Sequence, residues 1–188
     1  MFDDALPAPG TVMTTLDYLR TPESNRVHEL WRGVFRVAES PASWHQDLAF
    51  EIAIAIRAHV KPRDLGKVWV APLDVILDHD RAIVLQPDVV FVSHERLAIV
   101  TDKVRGAPDL VVEVLSPLPR IGTLTERVEC FAAYGVRECW LVDQQTRTID
   151  VLTFEGGRIS HRNSAAASQP VPSRVLPGLQ FRLEDAID

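Results

Sequence analysis

The sequence predicts a mixed α/β sheet flanked by helices, and three observations carry that prediction. Helical and strand periods alternate along the chain, hairpin signals stand at both ends, and one apolar run, DLVVEVL at 109–115, is continuous rather than alternating. A continuous run of that length suits a central strand covered on both faces.

The elements follow in order. Thr14 with Asp17 fits a capping box, so 14–20 reads as a short helix. VHEL, a turn at Trp31-Arg32-Gly33 and VFRVA form a hairpin. Ser43 is expected to cap a long helix, WHQDLAFEIAIAIRAH, in which Leu48, Ile52, Ala55 and His59 share a face while Asp47, Glu51 and Arg57 face out, and Lys61-Pro62 stops it. Three β-prone runs come next: KVWV with PLDVIL, then AIVL, then DVVFV, with a turn at Asp78-His79-Asp80. After the central run, Thr123 to Tyr134 reads as a helix closed by Gly135, a residue suited to a left-handed C-cap. ECWLVD, TIDVLTF and, past Gly156-Gly157, RISH close the core with a hairpin. The tail, from about residue 162 to 188, is rich in Ala, Ser and Pro and reads as a surface segment.

Composition bounds the rest. With 188 residues, 46% hydrophobic and 24% charged, the chain reads as a single domain over 1–188. A chain of this size buries roughly 70% of its unfolded surface, so it needs no disulfide or structural metal. Cys130 and Cys139 form no CxxC and read as reduced thiols of a cytoplasmic protein. The acidic start MFDDALPAPG does not read as a signal peptide, and no apolar run approaches the ~18 residues of a membrane span. The net charge of −6 argues against a non-specific polyanion binder. Lys61, Arg63, Lys67, Lys103, Arg105 and Arg120 could still touch a nucleic-acid backbone locally, although for each a solvated surface charge is the plainer expectation.

Two carboxylates ask for an explanation. Glu113 lies inside the central run, where an ionised carboxylate must shift its pKa, pair with a cation or bind metal. Asp109 shares its strand face but lies about 13 Å away, too far to share one ion. Asp88 opens QPDVVFV behind a proline; if its strand neighbours the central one, the two carboxylates converge, and hard oxygens of this kind suit Mg²⁺ or Mn²⁺. The alternatives are an arginine partner for Glu113 (Arg105, Arg120 or Arg127) and turn chemistry for Asp88.

In order, VHELWRGVFRV, PASWHQDLAFEI, QPDVVFV, GAPDLVVEVLSP and ERVECFAAYGVRECWLVD resemble the Uma-type restriction-endonuclease family of the PD-(D/E)XK superfamily, over roughly Val27 to Phe154. The resemblance implies a restriction-endonuclease-like core, a core span of about 27–154, and Mg²⁺- or Mn²⁺-dependent hydrolysis of nucleic acid, DNA foremost, without a membrane. It makes Asp88 and Glu113 the metal ligands, assisted by the carbonyl of Val114, and places Glu29, His45 and Ser116, with Pro117, beside the site. Read locally, Glu29 is a strand charge and His45 a helix-start residue.

The chain departs from the family at the lysine. The superfamily position holds Leu115, and the family's D-x-x-x-K is replaced by Thr123 and Arg127. Arg127 can supply positive charge in the site but cannot act as a base near neutral pH, so reduced activity is expected; read locally, it is a helix surface charge beside Glu126 or Glu129. Three expectations follow: a metal-dependent endonuclease, a catalytically degenerate member that binds nucleic acid or a protein partner, or a structural domain with a Glu113–arginine pair and no cleft at Asp88. Monomer and homodimer both stay open.

Overall fold

Thr14 closes the expected capping box with Asp17 and starts α1 (Thr15–Tyr18) in the computed structural model, which describes residues 6–22, 24–116 and 122–187. The first hairpin pairs β1 (His28–Trp31) with β2 (Val34–Val37). Its turn residues Arg32 and Gly33 have φ of 50° and 81°, the left-handed pair that matches strand twist. The long helix α2 (Ser43–Val60) differs from expectation at its start: Ala42 is the N-cap, Ser43 is the first helical residue, and no side chain caps the end. Burial of Leu48, Ile52 and Ile56 holds this helix in place of a cap.

KVWV and PLDVIL, expected as one run, separate into β3 (Gly66–Val70) and β4 (Val75–Asp78), which belong to different sheets. Pro72 between them has no N–H to continue a ladder, and the chain crosses there. The strands β5 (Ile83–Leu85), β6 (Val89–Ser93), β7 (Val104–Arg105) and β8 (Leu110–Val114) precede α3 (Leu124–Tyr134). Thr123 and Glu126 form a capping box at the start of α3, and Gly135 ends it with φ of 91°. The last strands are β9 (Glu138–Asp143), β10 (Thr148–Glu155) and β11 (Arg158–Ala166).

These strands build two mixed sheets, one of five in the order β2-β1-β5-β4-β7 and one of six in the order β11-β10-β9-β8-β6-β3. The run DLVVEVL does become a central strand: β8 lies between β6, antiparallel, and β9, parallel. Its alternate residues face opposite layers. Leu110, Val112 and Val114 pack with α2, while Val111 packs with Val128 and Phe131 of α3 and with Ile83 and Leu85 of the smaller sheet. Val90 and Val92 of β6 meet Val75 and Val104 on that same side.

The tail corrects the sequence reading. Val171, Leu176, Leu179, Phe181 and Leu183 do not lie over the surface; they are buried in the main core beside α2. Glu138, fully buried on β9, anchors this segment by accepting hydrogen bonds from the Ser173 hydroxyl and the Arg174 and Val175 backbone amides, as well as from Trp140 Nε1. Cys130 and Cys139 are free and buried, and burial raises both thiols above their usual range. Among the described residues no helix is long and apolar enough to cross a membrane.

Candidate metal and phosphate site

Register brings the two carboxylates together. Val89 of β6 stands opposite Val112 of β8 and Val90 opposite Val111, so one step further places Asp88 opposite Glu113 on the face toward α3. Directly opposed residues of an antiparallel pair carry their Cβ atoms ~5 Å apart on one face. Both side chains line a cavity of ≈ 200 Å³.

Backbone and helix hold each group in place. Asp88 Oδ2 accepts the Val114 amide at 2.7 Å. His45, on the first turn of α2, places Nε2 3.3 Å from that oxygen and 3.1 Å from the Val114 carbonyl, so one proton on Nε2 serves both acceptors. Asp88 Oδ1 and Glu113 Oε2 accept no hydrogen bond from the described residues.

Arg127 does not sit on the outer face of α3 with Glu126 or Glu129. It points inward: Nη1 donates to Glu29 Oε1 and Oε2 at 2.7 and 2.6 Å, and Nη2 to Glu113 Oε1 at 2.9 Å. Glu126 is occupied by Thr123, whose amide and hydroxyl it accepts, so Thr123 serves the helix start. Glu29, 1% exposed, is more than a strand charge, since Gln86 N–H also donates to it at 2.7 Å. The fork geometry of arginine explains how one side chain bridges carboxylates from two sheets.

The electrostatics are those of a crowded acidic site. Burial pushes Glu113 up to about 7, the charges of Asp88 and Glu29 add to the rise, and Arg127 opposes it. For Arg127 burial works against the charge, but Glu113 and Glu29 more than offset it and hold the group well above its usual range. Two carboxylates, Glu29 and Glu113, thus share the Arg127 guanidinium, and Asp88 stands beside them without contact to it.

The cavity gathers Glu29, His45, Asp88, Glu113, Val114, Ser116 and Arg127, the described residues that the resemblance placed at or beside the site. Pro117 and Arg120 lie outside the described residues. Asp109 is elsewhere, fully buried and held by Ser93 N–H, Arg96 and Arg137. Arg105 pairs with Asp102, and Lys103 with Asp74, rather than with the site. A bare structural domain without a cleft at Asp88 is therefore not what forms, although the Glu113–arginine pair it required is present.

Gln86 escaped the sequence reading. Its amide holds Glu29, and its side-chain Nε2 donates to Asp74 Oδ1 at 2.7 Å, where Tyr18 also donates, so the site rests on a buried polar chain. The only available signal was its place two residues before Asp88.

Among the described residues no three or more His, Cys, Asp or Glu side chains cluster to hold an ion. A hard cation of the Mg²⁺ type takes one or two carboxylates and completes its shell with carbonyl, water and phosphate oxygens. Asp88, Glu113 and the Val114 carbonyl fit that donor set, since the carbonyl retains a second lone pair beside His45.

The fold matches a solved structure from Anabaena variabilis ATCC 29413, described as "a putative nuclease belonging to DUF820", with a TM-score of 0.77 at 19% identity over 93% of this chain and 97% of that one. No curated protein matches the chain. The Uma2 family, described as "Putative restriction endonuclease", matches residues 16–184, nearly the whole chain. Because that match spans nearly the whole chain, the chain belongs to the Uma2 family.

Proposed function

We propose that the protein is a divalent-metal-dependent nuclease in which Asp88, Glu113 and the Val114 carbonyl hold Mg²⁺ or Mn²⁺ and the substrate is a phosphodiester of nucleic acid, DNA foremost. The observation that carries this reading is the register of β6 and β8, which sets two acidic side chains opposite each other in one cavity with oxygens left unpartnered by the described residues. The family and the fold support it at the level of nuclease.

A bound ion would supply Lewis-acid stabilisation of phosphoryl charge and a more acidic water. The chain's own groups do the rest. The Val114 amide and His45 orient Asp88, so its Oδ2 is fixed before any ligand arrives. Arg127 spends three contacts on Glu29 and Glu113, and its remaining Nη2 and Nε N–H groups, which have no acceptor among the described residues, can be offered to a phosphate oxygen. Arginine cannot take a proton from water near neutral pH, so Arg127 orients and stabilises charge.

A second reading, a family member that binds without cutting, is favoured by one observation: Arg127 already compensates Glu113, where the family carries a lysine. The two separate in a cleavage assay on plasmid and oligonucleotide with Mg²⁺ or Mn²⁺. The nuclease reading expects metal-dependent cleavage that Glu113→Ala reduces by at least ~10²-fold; cleavage undiminished in that variant would reject it, and oligonucleotide binding without cleavage by metal-loaded wild type would favour the binding module.

A further inference from the structure

The cavity cannot by itself attract a polyanion. Among the described residues its one guanidinium, that of Arg127, is shared between Glu29 and Glu113, Asp88 adds another negative charge, and the whole protein carries −6. If a phosphodiester chain is to enter, positive charge must lie beside the cavity.

The first hairpin supplies it. Side chains alternate along a strand, so Glu29 and Trp31 of β1 share a face, and Arg36 of β2, opposite Glu29, shares it too. The surface on which Glu29 holds Arg127 therefore continues into Trp31 and Arg36. Arg36 reaches the cavity rim: its Nη1 lies 2.6 Å from the position a Cβ on Gly122 would take, and Gly122 lines the cavity.

Trp31 serves as a platform for two cations. The guanidinium carbon of Arg36 lies 5.4 Å from the ring centroid and that of Arg32, exposed on the turn, 5.8 Å. Contact with the ring fixes the planes of the guanidinium groups while leaving their N–H edges outward, a geometry matched to phosphate oxygens. Among the described residues neither arginine has a carboxylate within ion-pair distance, and the neighbouring Glu126 is engaged by Thr123. Trp31 and Arg32 also line a groove of ≈ 770 Å³ between the hairpin and α3, where Arg81 adds a third cation and Glu126 and Glu129 two carboxylates.

We infer that Trp31, Arg32 and Arg36 form a docking track for the phosphodiester backbone of a nucleic-acid strand that leads into the cavity of Asp88 and Glu113. The inference rests on the nuclease reading for its substrate class, but it concerns binding and can fail separately. Arg32 and Arg36 hold phosphates as a fork of fixed charges, and Trp31 maintains their spacing.

The test is fluorescence anisotropy of a labelled single-stranded oligonucleotide and its duplex, in EDTA so that no cleavage intervenes, across a salt series. Three proteins are compared: wild type, Arg32→Asn with Arg36→Gln, and Arg57→Gln on the exposed side of α2 as a control. Each lost phosphate contact reduces the salt slope by roughly 0.7–0.9, so the double variant should lose about 1.5 of slope and bind about tenfold more weakly at low salt. Arg57→Gln should leave both unchanged. Arg32→Asn alone, at a turn position whose left-handed φ asparagine tolerates, should show about half the slope change, which guards against misfolding of the double variant.

An unchanged slope in the double variant, or an equal loss in Arg57→Gln, overturns the track while metal-dependent cleavage by wild type still stands as evidence for the site. Absence of oligonucleotide binding by wild type overturns the track as well. Conversely, slope loss without any cleavage by wild type keeps the track and rejects the nuclease.

Discussion

Replacing Arg127 by methionine tests the charge arrangement most severely. The substitution keeps an apolar stem against Phe131, over whose ring the guanidinium now lies at 5.6 Å, but removes the three contacts to Glu29 and Glu113. Glu29 is 1% exposed and would keep only the Gln86 amide. Removing one partner of a buried pair costs about 3–5 kcal/mol, because a charge is left uncompensated. Glu113, already pushed up to about 7, can escape part of the cost by taking a proton, so most of the loss falls on Glu29. For a chain of this length, 1 kcal/mol corresponds to about 2–4 °C, and the melting temperature in EDTA should fall by roughly 6–20 °C at pH above 7. The fall should shrink below about pH 7, where Glu113 is protonated and contributes no uncompensated charge. Replacing all three charges, as Glu29→Gln, Arg127→Met and Glu113→Gln together, should recover most of the loss. Thermal denaturation followed by circular dichroism measures each case. A single Arg127→Met variant as stable as wild type at neutral pH would refute the inward guanidinium.

Two further outcomes follow from the structure. The folded state holds the Glu113 proton more tightly than the unfolded chain, so in EDTA that contribution is full below about pH 4.5 and is lost as pH rises through about 7. Glu113→Gln has no proton to lose and should be more stable than wild type above that range by up to roughly 3 kcal/mol; denaturant melts at acid and alkaline pH that keep the same order and spacing would contradict it. Leu176, 1% exposed in the main core, should cost about 2–5 kcal/mol as Leu176→Ala, against under ~0.5 kcal/mol for a residue on a surface segment, which a denaturant midpoint separates cleanly.

Much of the fold was legible because its signals are local. The capping box at Thr14, the helix from Thr123 closed by the left-handed Gly135 and the continuous apolar run of β8 all depend on a few neighbouring residues. What failed depends on distant partners. Whether β3 and β4 share a sheet is decided by β6, which lies beyond the β4–β5 hairpin and takes β3 as its partner, and nothing in KVWVAPLDVIL encodes that division except Pro72. The tail's apolar residues, spaced irregularly among prolines and glycines, show neither strand nor helix period, so their burial had no periodic signature.

The site divides in the same way. Asp88 and Glu113 stood out because a charge in an apolar run is costly anywhere, and adjacency of their strands was enough to unite them. The bridging of Glu29, Arg127 and Glu113 joins β1, α3 and β8, residues 98 positions apart in one case, and no pattern within any one segment announces it. The family pattern located Arg127 by position, while its direction came only from the packing of α3 against β8. Gln86 acts largely through its backbone amide, which the identity of its side chain does not reveal.

Calorimetric titration with Mn²⁺ addresses the central claim directly. Wild type should bind one ion per chain, and Asp88→Asn and Glu113→Gln should each weaken that binding at least ~10-fold, since each removes one of two anionic ligands. Equal Mn²⁺ binding by wild type and both variants, or none by wild type, would show that these opposed carboxylates do not gather a cation.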